Sequence, residues 1–231
     1  HTEIMLRQFG AETQKKDGQI ISRPVSMLYA QKITVPGDIS SAAFFLIAGL
    51  ITPGARLTVT GVGVNPTRTG LIDALAEMGG ALELSNKRSV GGEPVADISV
   101  SCSALKPTTL SGAIIPRMID EIPAFAVAAL FAKGRTVIRD ATELKVKESN
   151  RIHTIAEELG KMGGRLTETA DGLIIDGGTP LHGAEVNSHQ DHRIAMSLAV
   201  AALAAEGETR IMDSGCVDIS FPKFFEQWSD L

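Results

Sequence analysis

Cysteine is scarce in this sequence: Cys102 and Cys216 are the only two among 231 residues, and they lie far apart in the chain. Without a C-x-x-C pair, a zinc ribbon or a disulfide framework is not expected. A single buried disulfide stays open, although two reduced thiols and a reducing cytoplasm fit the pattern better. Aromatic residues are also few, with one Trp and one Tyr, so nothing indicates the stacking surface that single-stranded nucleic acids need.

Excess positive charge and long apolar runs are missing as well. The net charge of −5 and the sequence pI of about 5.6 argue against a broad nucleic-acid surface. The longest apolar runs, at 122–132 and 194–205, are too short for a membrane span, which takes roughly 20 residues. With 44% hydrophobic residues, the chain should form a soluble globular protein. The cysteine pattern places it in the cytoplasm. It begins at His1 without a charged-then-apolar leader, so we expect neither a signal peptide nor an intact start.

One sequence pattern occurs three times: an apolar helix rich in small residues, then a glycine, then a β-rich run. The glycines are Gly54, Gly134 and Gly207. An amphipathic helix comes next each time, at 70–84, at 153–168 and, in shorter form, at 221–231. In the first two cases glycines and a strand follow it. The pattern predicts mixed β-α-β-α-β-β units of some 70 to 80 residues, hence an α+β fold with α/β-like repeats.

The segment 5–15 matches only the second half of that unit, with Gly10 in the position of Gly79 and Gly163. We therefore predict that the chain starts inside a truncated repeat.

Each of the three apolar helices has an aspartate at its predicted start, namely Asp38, Asp120 and Asp191. An aspartate there can accept hydrogen bonds from the free amides of the first helical turn and oppose the positive end of the helix dipole. The simplest interpretation is that all three are helix caps and nothing more.

Lys147 and Arg151 are predicted to share one face at the start of an amphipathic helix over 143–164. Two cations are unfavourable there, because they repel each other and the helix dipole. A bound anion would relieve both costs, since free amides and two cations would converge on it. A solvated helix end neutralised by Glu143 and Glu148 remains the alternative.

Arg193 is predicted to lie just behind Asp191 at the start of an almost wholly apolar helix. An arginine in such a place usually has a carboxylate or phosphate partner, and Asp191 is the simplest one. The neighbouring His189 and His192 could join Asp191 in a metal site, but an H-x-x-H pair on a loop lacks a third strong ligand. We therefore expect no metal.

The glycine-rich stretch 61–70 lacks the Lys-Ser/Thr of a phosphate-binding loop and the spacing of a dinucleotide motif, so it predicts a strand-to-helix turn. On it, the Arg68 side chain could face a ligand, although we expect it to face solvent.

The adjacent acids Asp120 and Glu121 open an apolar helix. One of them could cap the helix while the other, desolvated, has its pKa raised towards use as a base.

Three long segments closely resemble one known family. VPGDISSAAFFLIAGL, IDEIPAFAVAALFAKGRTVIRDATELKVKESNRI and DHRIAMSLAVAALA are similar to the EPSP synthases (3-phosphoshikimate 1-carboxyvinyltransferases), and specifically to their carboxyl-terminal half. The resemblance implies three βαβαββ units around parallel buried helices with the sheets outside. It also implies that residues 1–35 are the tail of an amino-terminal domain and 36–231 the carboxyl-terminal enolpyruvyl transferase domain.

The resemblance further implies a reaction and its residues. The family transfers the enolpyruvyl group of phosphoenolpyruvate to the 5-hydroxyl of shikimate 3-phosphate and releases phosphate, in the shikimate pathway of aromatic amino-acid biosynthesis. By motif position, Asp120 is the expected base and Glu148 the proton donor, while Lys147 binds the shikimate phosphate. Arg151 and Arg193 would hold phosphoenolpyruvate. No cofactor, metal, nucleic acid or membrane is implied, and we expect a monomer that needs the missing amino-terminal domain and is inactive alone.

Two other functions stay open. A sister enolpyruvyl transferase acts on UDP-N-acetylglucosamine, but it usually shows a Gly-Phe-Pro-Thr-Asp motif where this chain reads MIDEIP. A non-catalytic repeat module would use the same surfaces for protein contacts. That function predicts an exposed apolar face, whereas the helix starts here are charged.

Overall fold

The computed structural model describes residues 1–229, which form a mixed α+β fold. The helices are α1 (Thr2–Gln8), α2 (Ile39–Ile51), α3 (Gly70–Glu77), α4 (Ile122–Phe131), α5 (Arg151–Lys161), α6 (His192–Leu203) and α7 (Phe224–Ser229). The strands are β1 (Glu12–Lys16), β2 (Gln19–Arg23), β3 (Arg56–Gly63), β4 (Ala81–Val90), β5 (Glu93–Ser101), β6 (Thr109–Leu110), β7 (Gly134–Ile138), β8 (Leu166–Glu168), β9 (Leu173–Gly177), β10 (Glu185–Asn187) and β11 (Arg210–Met212). The predicted α+β class is confirmed.

The repeat predicted from the sequence is visible in the sheets. In the second unit the strands lie in the order β6-β7-β9-β8, with β6 parallel to β7 and the other neighbours antiparallel. The first unit has the order β3-β5-β4, and a parallel bridge from Gly37 to Val62 on β3 takes the position of the missing first strand. Both units therefore have the same topology.

The two ends of the chain hold shorter pieces of the unit. The third unit contains the parallel pair β10 and β11 with α6 and α7, and no strand hairpin follows within residues 1–229. At the other end, α1 is followed by a glycine and the β1–β2 hairpin, as the truncated repeat predicts. Gly10, Gly79 and Gly163 all have positive φ, between 78° and 92°, which is the left-handed conformation that glycine adopts at helix ends.

The core is built around α2, α4 and α6, which contact one another pairwise. Nearly every side chain of α2 and α4 is buried, so these helices show no polar face. Their small residues let the surrounding elements approach closely. At Gly49 a Cβ atom would lie 2.7 Å from Val100 of β5, so only glycine allows the sheet to pack at this distance.

Two of the three predicted aspartate caps are confirmed. Asp38 accepts a hydrogen bond from the amide of Ser41, and Asp191 accepts one from the amide of Arg193. The prediction for Asp120 was wrong, because this residue lies in a short 3₁₀ turn, Ile119–Glu121, before α4 begins.

The entry into α4 explains that error. Pro123 occupies the first helical turn, so one of the amides that a capping side chain would bind is missing.

The predicted start of the amphipathic helix α5 was also wrong. Asn150 caps this helix by accepting from the amide of His153, and α5 begins at Arg151. Lys147 lies outside it, after a 3₁₀ turn over Thr142–Val146. The two cations therefore do not share a helix face, although both still point to one place, as described below.

The segment 24–36 contains no helix or strand, and almost all of it is exposed. It lies next to the boundary that we expect between residues 1–35 and 36–231, which remains a prediction. Both cysteines are free thiols. Within the described residues, every helix falls short of the length and apolar character needed to cross a membrane.

Candidate functional site

The amino-terminal ends of α2, α4 and α6 meet at one end of the core. Ser40, in the first turn of α2, donates a hydrogen bond to Glu121, which directly precedes α4. Arg193, in the first turn of α6, donates to the backbone oxygen of Asp120 over 3.4 Å. The three buried helices are therefore parallel, as expected, and their positive dipole ends point to the same region.

Arg151 lies at the centre of this region with only 1% of its side chain exposed. Its Nε atom is 2.8 Å from the Asp191 carboxylate, its Nη1 atom is 3.2 Å from Asp120, and its Nη2 atom is 2.5 Å from Glu148. A guanidinium can be buried so completely because these carboxylates supply hydrogen-bond acceptors and opposite charge.

Asp120 receives two more cations. Lys147 Nζ lies 3.8 Å and Arg193 Nη2 lies 3.7 Å from its carboxylate oxygens. Burial alone would raise the pKa of Asp120, but the charges of Arg193, Lys147, Arg151 and Arg68 outweigh it and hold this pKa below its ordinary value. Asp120 is therefore a carboxylate at neutral pH and can act only as a proton acceptor.

Asp191 is fully buried and pairs with Arg151. It also accepts hydrogen bonds from the Ser149 hydroxyl and the Arg193 amide, at 3.0 and 2.9 Å. Burial pushes its pKa up, but the hydrogen bond and charge of Arg151 bring the pKa below the ordinary value. The predicted pairing of Asp191 with the Arg193 side chain was wrong, because that guanidinium turns to Asp120.

The residues considered for a metal site have other partners. His189 Nε2 lies 2.7 Å from Glu158, and the Asp191 carboxylate is occupied by Arg151. Within residues 1–229, His189 groups instead with Glu157 and Glu158 as potential ligand atoms, but Lys161 already bonds to Glu158 at 2.8 Å. This arrangement is an ion-pair cluster in which the lysine holds the place that a cation would take.

We expected Arg68 to face solvent, and this prediction was wrong. Its Nη2 atom donates to the Ser40 hydroxyl over 2.8 Å and lies 3.6 Å from Glu121. Glu121 is buried, and burial raises its pKa despite the opposing effects of Ser40 and Arg68. Of the two adjacent acids, neither caps α4, and Glu121 rather than Asp120 has the raised pKa.

All five residues assigned by resemblance are thus brought together. They form an open patch in which only Arg151 is fully buried, while Glu148 is about half exposed. The self-neutralising alternative also finds support, because Lys147 pairs with Glu143 at 2.5 Å and Arg151 with Glu148. However, Asp120 attracts Lys147 and Arg151 from one segment and Arg193 from another, which neutralisation within one helix end does not explain.

The EPSP synthase (3-phosphoshikimate 1-carboxyvinyltransferase) family profile matches residues 1–228. The chain belongs to the EPSP synthase family. A 3-phosphoshikimate 1-carboxyvinyltransferase from Thermoanaerobacter sp. (strain X514) is 54% identical over all 231 residues, which make up 55% of that relative's length. The chain therefore spans about half the length of the curated relatives it matches.

Solved structures agree with the family. An EPSP synthase from Acinetobacter baumannii superposes on the whole chain with a TM-score of 0.95 and 44% identity, and the chain covers 54% of it. The enolpyruvyl transferase NikO from Streptomyces tendae superposes with a TM-score of 0.77 at 21% identity, which shows a shared fold alone. The enolpyruvyl transferase fold expected from the sequence is confirmed.

Proposed function

We propose that this chain is the carboxyl-terminal half of a 3-phosphoshikimate 1-carboxyvinyltransferase (EC 2.5.1.19). The complete enzyme transfers the enolpyruvyl group of phosphoenolpyruvate to the 5-hydroxyl of shikimate 3-phosphate and releases phosphate, in the cytoplasm and as a step of aromatic amino-acid biosynthesis. The observation that carries the proposal is the Asp120 carboxylate, which lies among Lys147, Arg151 and Arg193 where the starts of α2, α4 and α6 meet. Both substrates carry a phosphate and a carboxylate, so such a group of cations suits them.

Asp120 is the base that accepts the proton of the attacking hydroxyl. The neighbouring cations hold its pKa low in the free protein, which makes it a weak base. When substrate phosphates and carboxylates bind these cations, their added negative charge raises the pKa of Asp120. Its basicity therefore increases only when the substrates are in place.

Glu148 is the proton donor to the methylene carbon of phosphoenolpyruvate. Protonation there develops positive charge on the neighbouring carbon, and nearby carboxylates stabilise this charge. The hydroxyl oxygen of shikimate 3-phosphate then attacks that carbon. The adduct then returns a methyl proton to the Glu148 carboxylate, which gave up its proton in the addition. The carbon–oxygen bond to phosphate breaks, phosphate leaves, and the carbon–carbon double bond of the enolpyruvyl group is restored. Glu148 now bonds to Arg151, so its carboxyl group already lies beside a residue assigned to hold phosphoenolpyruvate.

The cations divide the anionic groups between them. Lys147 binds the phosphate of shikimate 3-phosphate. Its Nζ atom lies 2.5 Å from Glu143, and because Glu143 is exposed, an incoming phosphate can replace this contact. Arg151 and Arg193 hold phosphoenolpyruvate, for which the planar guanidinium offers paired donors.

Residues 1–35 belong to the amino-terminal domain in this proposal, and residues 36–231 form the carboxyl-terminal one. The exposed segment 24–36 between the β1–β2 hairpin and α2 supports a boundary there. The amino-terminal domain completes the site from the other side and excludes water when it closes. The complete enzyme acts as a monomer without a cofactor.

The test compares this chain alone with a chimera in which it replaces the matching half of the Thermoanaerobacter relative. Phosphate release is measured with phosphoenolpyruvate and shikimate 3-phosphate, and UDP-N-acetylglucosamine serves as the alternative acceptor. We expect turnover by the chimera with shikimate 3-phosphate and none by the chain alone. Release only with UDP-N-acetylglucosamine, or no release with either acceptor, would contradict the proposal.

If the chain were a non-catalytic repeat module, the chimera would also fail to bind either substrate. Isothermal titration with phosphoenolpyruvate and shikimate 3-phosphate distinguishes that function from a defect in chemistry alone.

A further inference from the structure

Arg68 belongs to the turn between β3 and α3, and its side chain reaches Glu121 at the start of α4. Its guanidinium bonds to Ser40 and lies 3.6 Å from Glu121, both of which are buried. About a third of the Arg68 side chain stays exposed. The buried pair thus fixes one edge of a guanidinium whose other edge is open.

Anchoring the turn does not require Arg68. Asn65 bonds to Glu93 at 3.0 Å and accepts from the amide of Thr67, which fixes the turn from within. Arg117 donates to the backbone oxygen of Pro66 over 2.7 Å and so ties the turn to the next segment. These bonds hold the backbone around Arg68 and leave its side chain free for another use.

Arg68 and Arg151 differ in how their donors are used. The Arg151 guanidinium already bonds to three carboxylates. Among the described residues, Ser40 is the only one that accepts a hydrogen bond from the Arg68 guanidinium, which carries five N–H donors. The remaining donors can bind a phosphate or carboxylate in the paired manner typical of arginine.

Glu121 is expected to lower the stability of the fold. It is 1% exposed, and its Oε2 atom has no hydrogen-bond partner within residues 1–229. A buried carboxyl group with an unpaired oxygen destabilises a protein, and an apolar side chain would fill the same space without that cost. Such a residue is expected where it holds another group in position, and here the group is Arg68.

The direction of Arg68 connects it with the candidate site. Its positive charge is one of the four that lower the pKa of Asp120, together with Arg193, Lys147 and Arg151. Glu121, to which it is tied, directly follows Asp120 in the chain. Arg68 therefore borders the same patch from the α2 side.

We propose that Arg68 is a further substrate-binding residue of this site, and that Glu121 and Ser40 are positioning residues that direct its guanidinium to a phosphate or carboxylate of one substrate. This inference rests on the proposed function, because it names a new contact for the same reaction. The KM values for the two substrates show which of them Arg68 binds.

The test uses the active chimera and measures kcat and KM for phosphoenolpyruvate and for shikimate 3-phosphate. Arg68→Gln is expected to raise KM for one substrate by about tenfold or more, because a charge-assisted hydrogen bond is lost. Arg68→Lys restores part of the loss, since it keeps the charge without the paired donors. Glu121→Gln shifts the same KM in the same direction by a smaller factor.

Arg117→Gln is the matched control. Its side chain is 32% exposed against 34% for Arg68, and it borders the same turn but bonds to Asp73 and Pro66. We expect this variant to lower the melting temperature and to leave both KM values unchanged, because the Asn65 bonds still fix the turn that carries Arg68. If Arg68→Gln does not fold, Arg68→Lys still reports the contact through its KM.

The possible results separate this inference from the proposed function. An unmodified chimera that releases no phosphate overturns both. Turnover by that chimera with unchanged KM values for Arg68→Gln and Arg68→Lys overturns only the role of Arg68. A KM increase that Arg117→Gln reproduces equally also overturns it, because the effect would then come from the turn as a whole.

Discussion

Replacing Arg151 with methionine tests whether this arginine stabilises the fold through its buried ion pair with Asp191, in addition to its part in the proposed reaction. Methionine has a similar length and no charge, so the change removes the partner of Asp191 without creating a large cavity. Asp191 is fully buried and would keep only the Ser149 hydroxyl and the Arg193 amide as donors. Asp120 and Glu148 would each lose one cation as well.

Breaking a buried ion pair by removing one partner typically costs about 3–5 kcal/mol of unfolding free energy. In a protein of this size, each kcal/mol shifts the melting temperature by about 2–4 °C, so we expect a decrease of about 6–20 °C for Arg151→Met. Arg135 offers the matched control, because it pairs with Asp176 at 2.7 Å while its side chain is 64% exposed. Solvent and salt screen an exposed pair, so Arg135→Met should hardly shift the melting temperature.

The assay is thermal and urea unfolding of the purified chain, followed by circular dichroism. The low pKa of Asp191 determines the pH dependence of the result. A carboxyl group whose pKa is lowered by folding stabilises the protein above its unfolded pKa of about 3.9, and this contribution is lost as pH falls. The difference between Arg151→Met and the unmodified chain should therefore be largest near pH 7 and decrease below about pH 4.

Equal melting temperatures for Arg151→Met and Arg135→Met at pH 7 would refute this reasoning. So would a difference that does not decrease with pH, because it would come from packing and not from the buried charge.

Two further predictions concern stability and use the same unfolding assay. A Cβ atom on Gly177 would lie 2.3 Å from two backbone oxygens at the end of α4, so Gly177→Ala should destabilise the chain by about 1–3 kcal/mol. Gly160→Ala should stabilise the chain by about 0.5–1 kcal/mol, since a Cβ atom on this helical residue meets open space. Equal effects of the two substitutions would contradict the close contact described at Gly177. Phe224 is buried among aromatic rings and stacks on Trp228 at 5.1 Å, so Phe224→Ala should cost about 3–5 kcal/mol. The half-exposed Phe225 is its control, and a similar loss for Phe225→Ala would refute the assignment of Phe224 to the core.

Local sequence signals predicted much of the fold. The repeating helix, glycine and strand pattern indicated the units because small apolar residues and positive-φ glycines recur at similar spacings. Asp38 and Asp191 were recognisable as caps, since a cap depends only on the next few residues. The same rule failed at Asp120, where Pro123 and a 3₁₀ turn change the entry into the helix.

Long-range contacts could not be predicted from local patterns. Arg151 pairs with Asp191, which is 40 residues away. Arg68 bonds to Ser40 of the first unit and lies near Glu121 of the second. The amphipathic pattern also placed Lys147 on the helix that begins at Arg151, although both cations reach Asp120 from different backbone conformations. The resemblance to the family named the five residues of the site, and the tertiary structure shows that they lie together.

The most direct test of the account is the rate of the chimera carrying Asp120→Asn. Asparagine keeps the shape of aspartate but cannot accept the hydroxyl proton, and loss of a general base typically lowers kcat by about 10²–10⁴-fold. We predict such a loss while phosphoenolpyruvate still binds, since Arg151 and Arg193, which hold it in this proposal, are unchanged. An unchanged kcat for Asp120→Asn would contradict the role of Asp120 as the base.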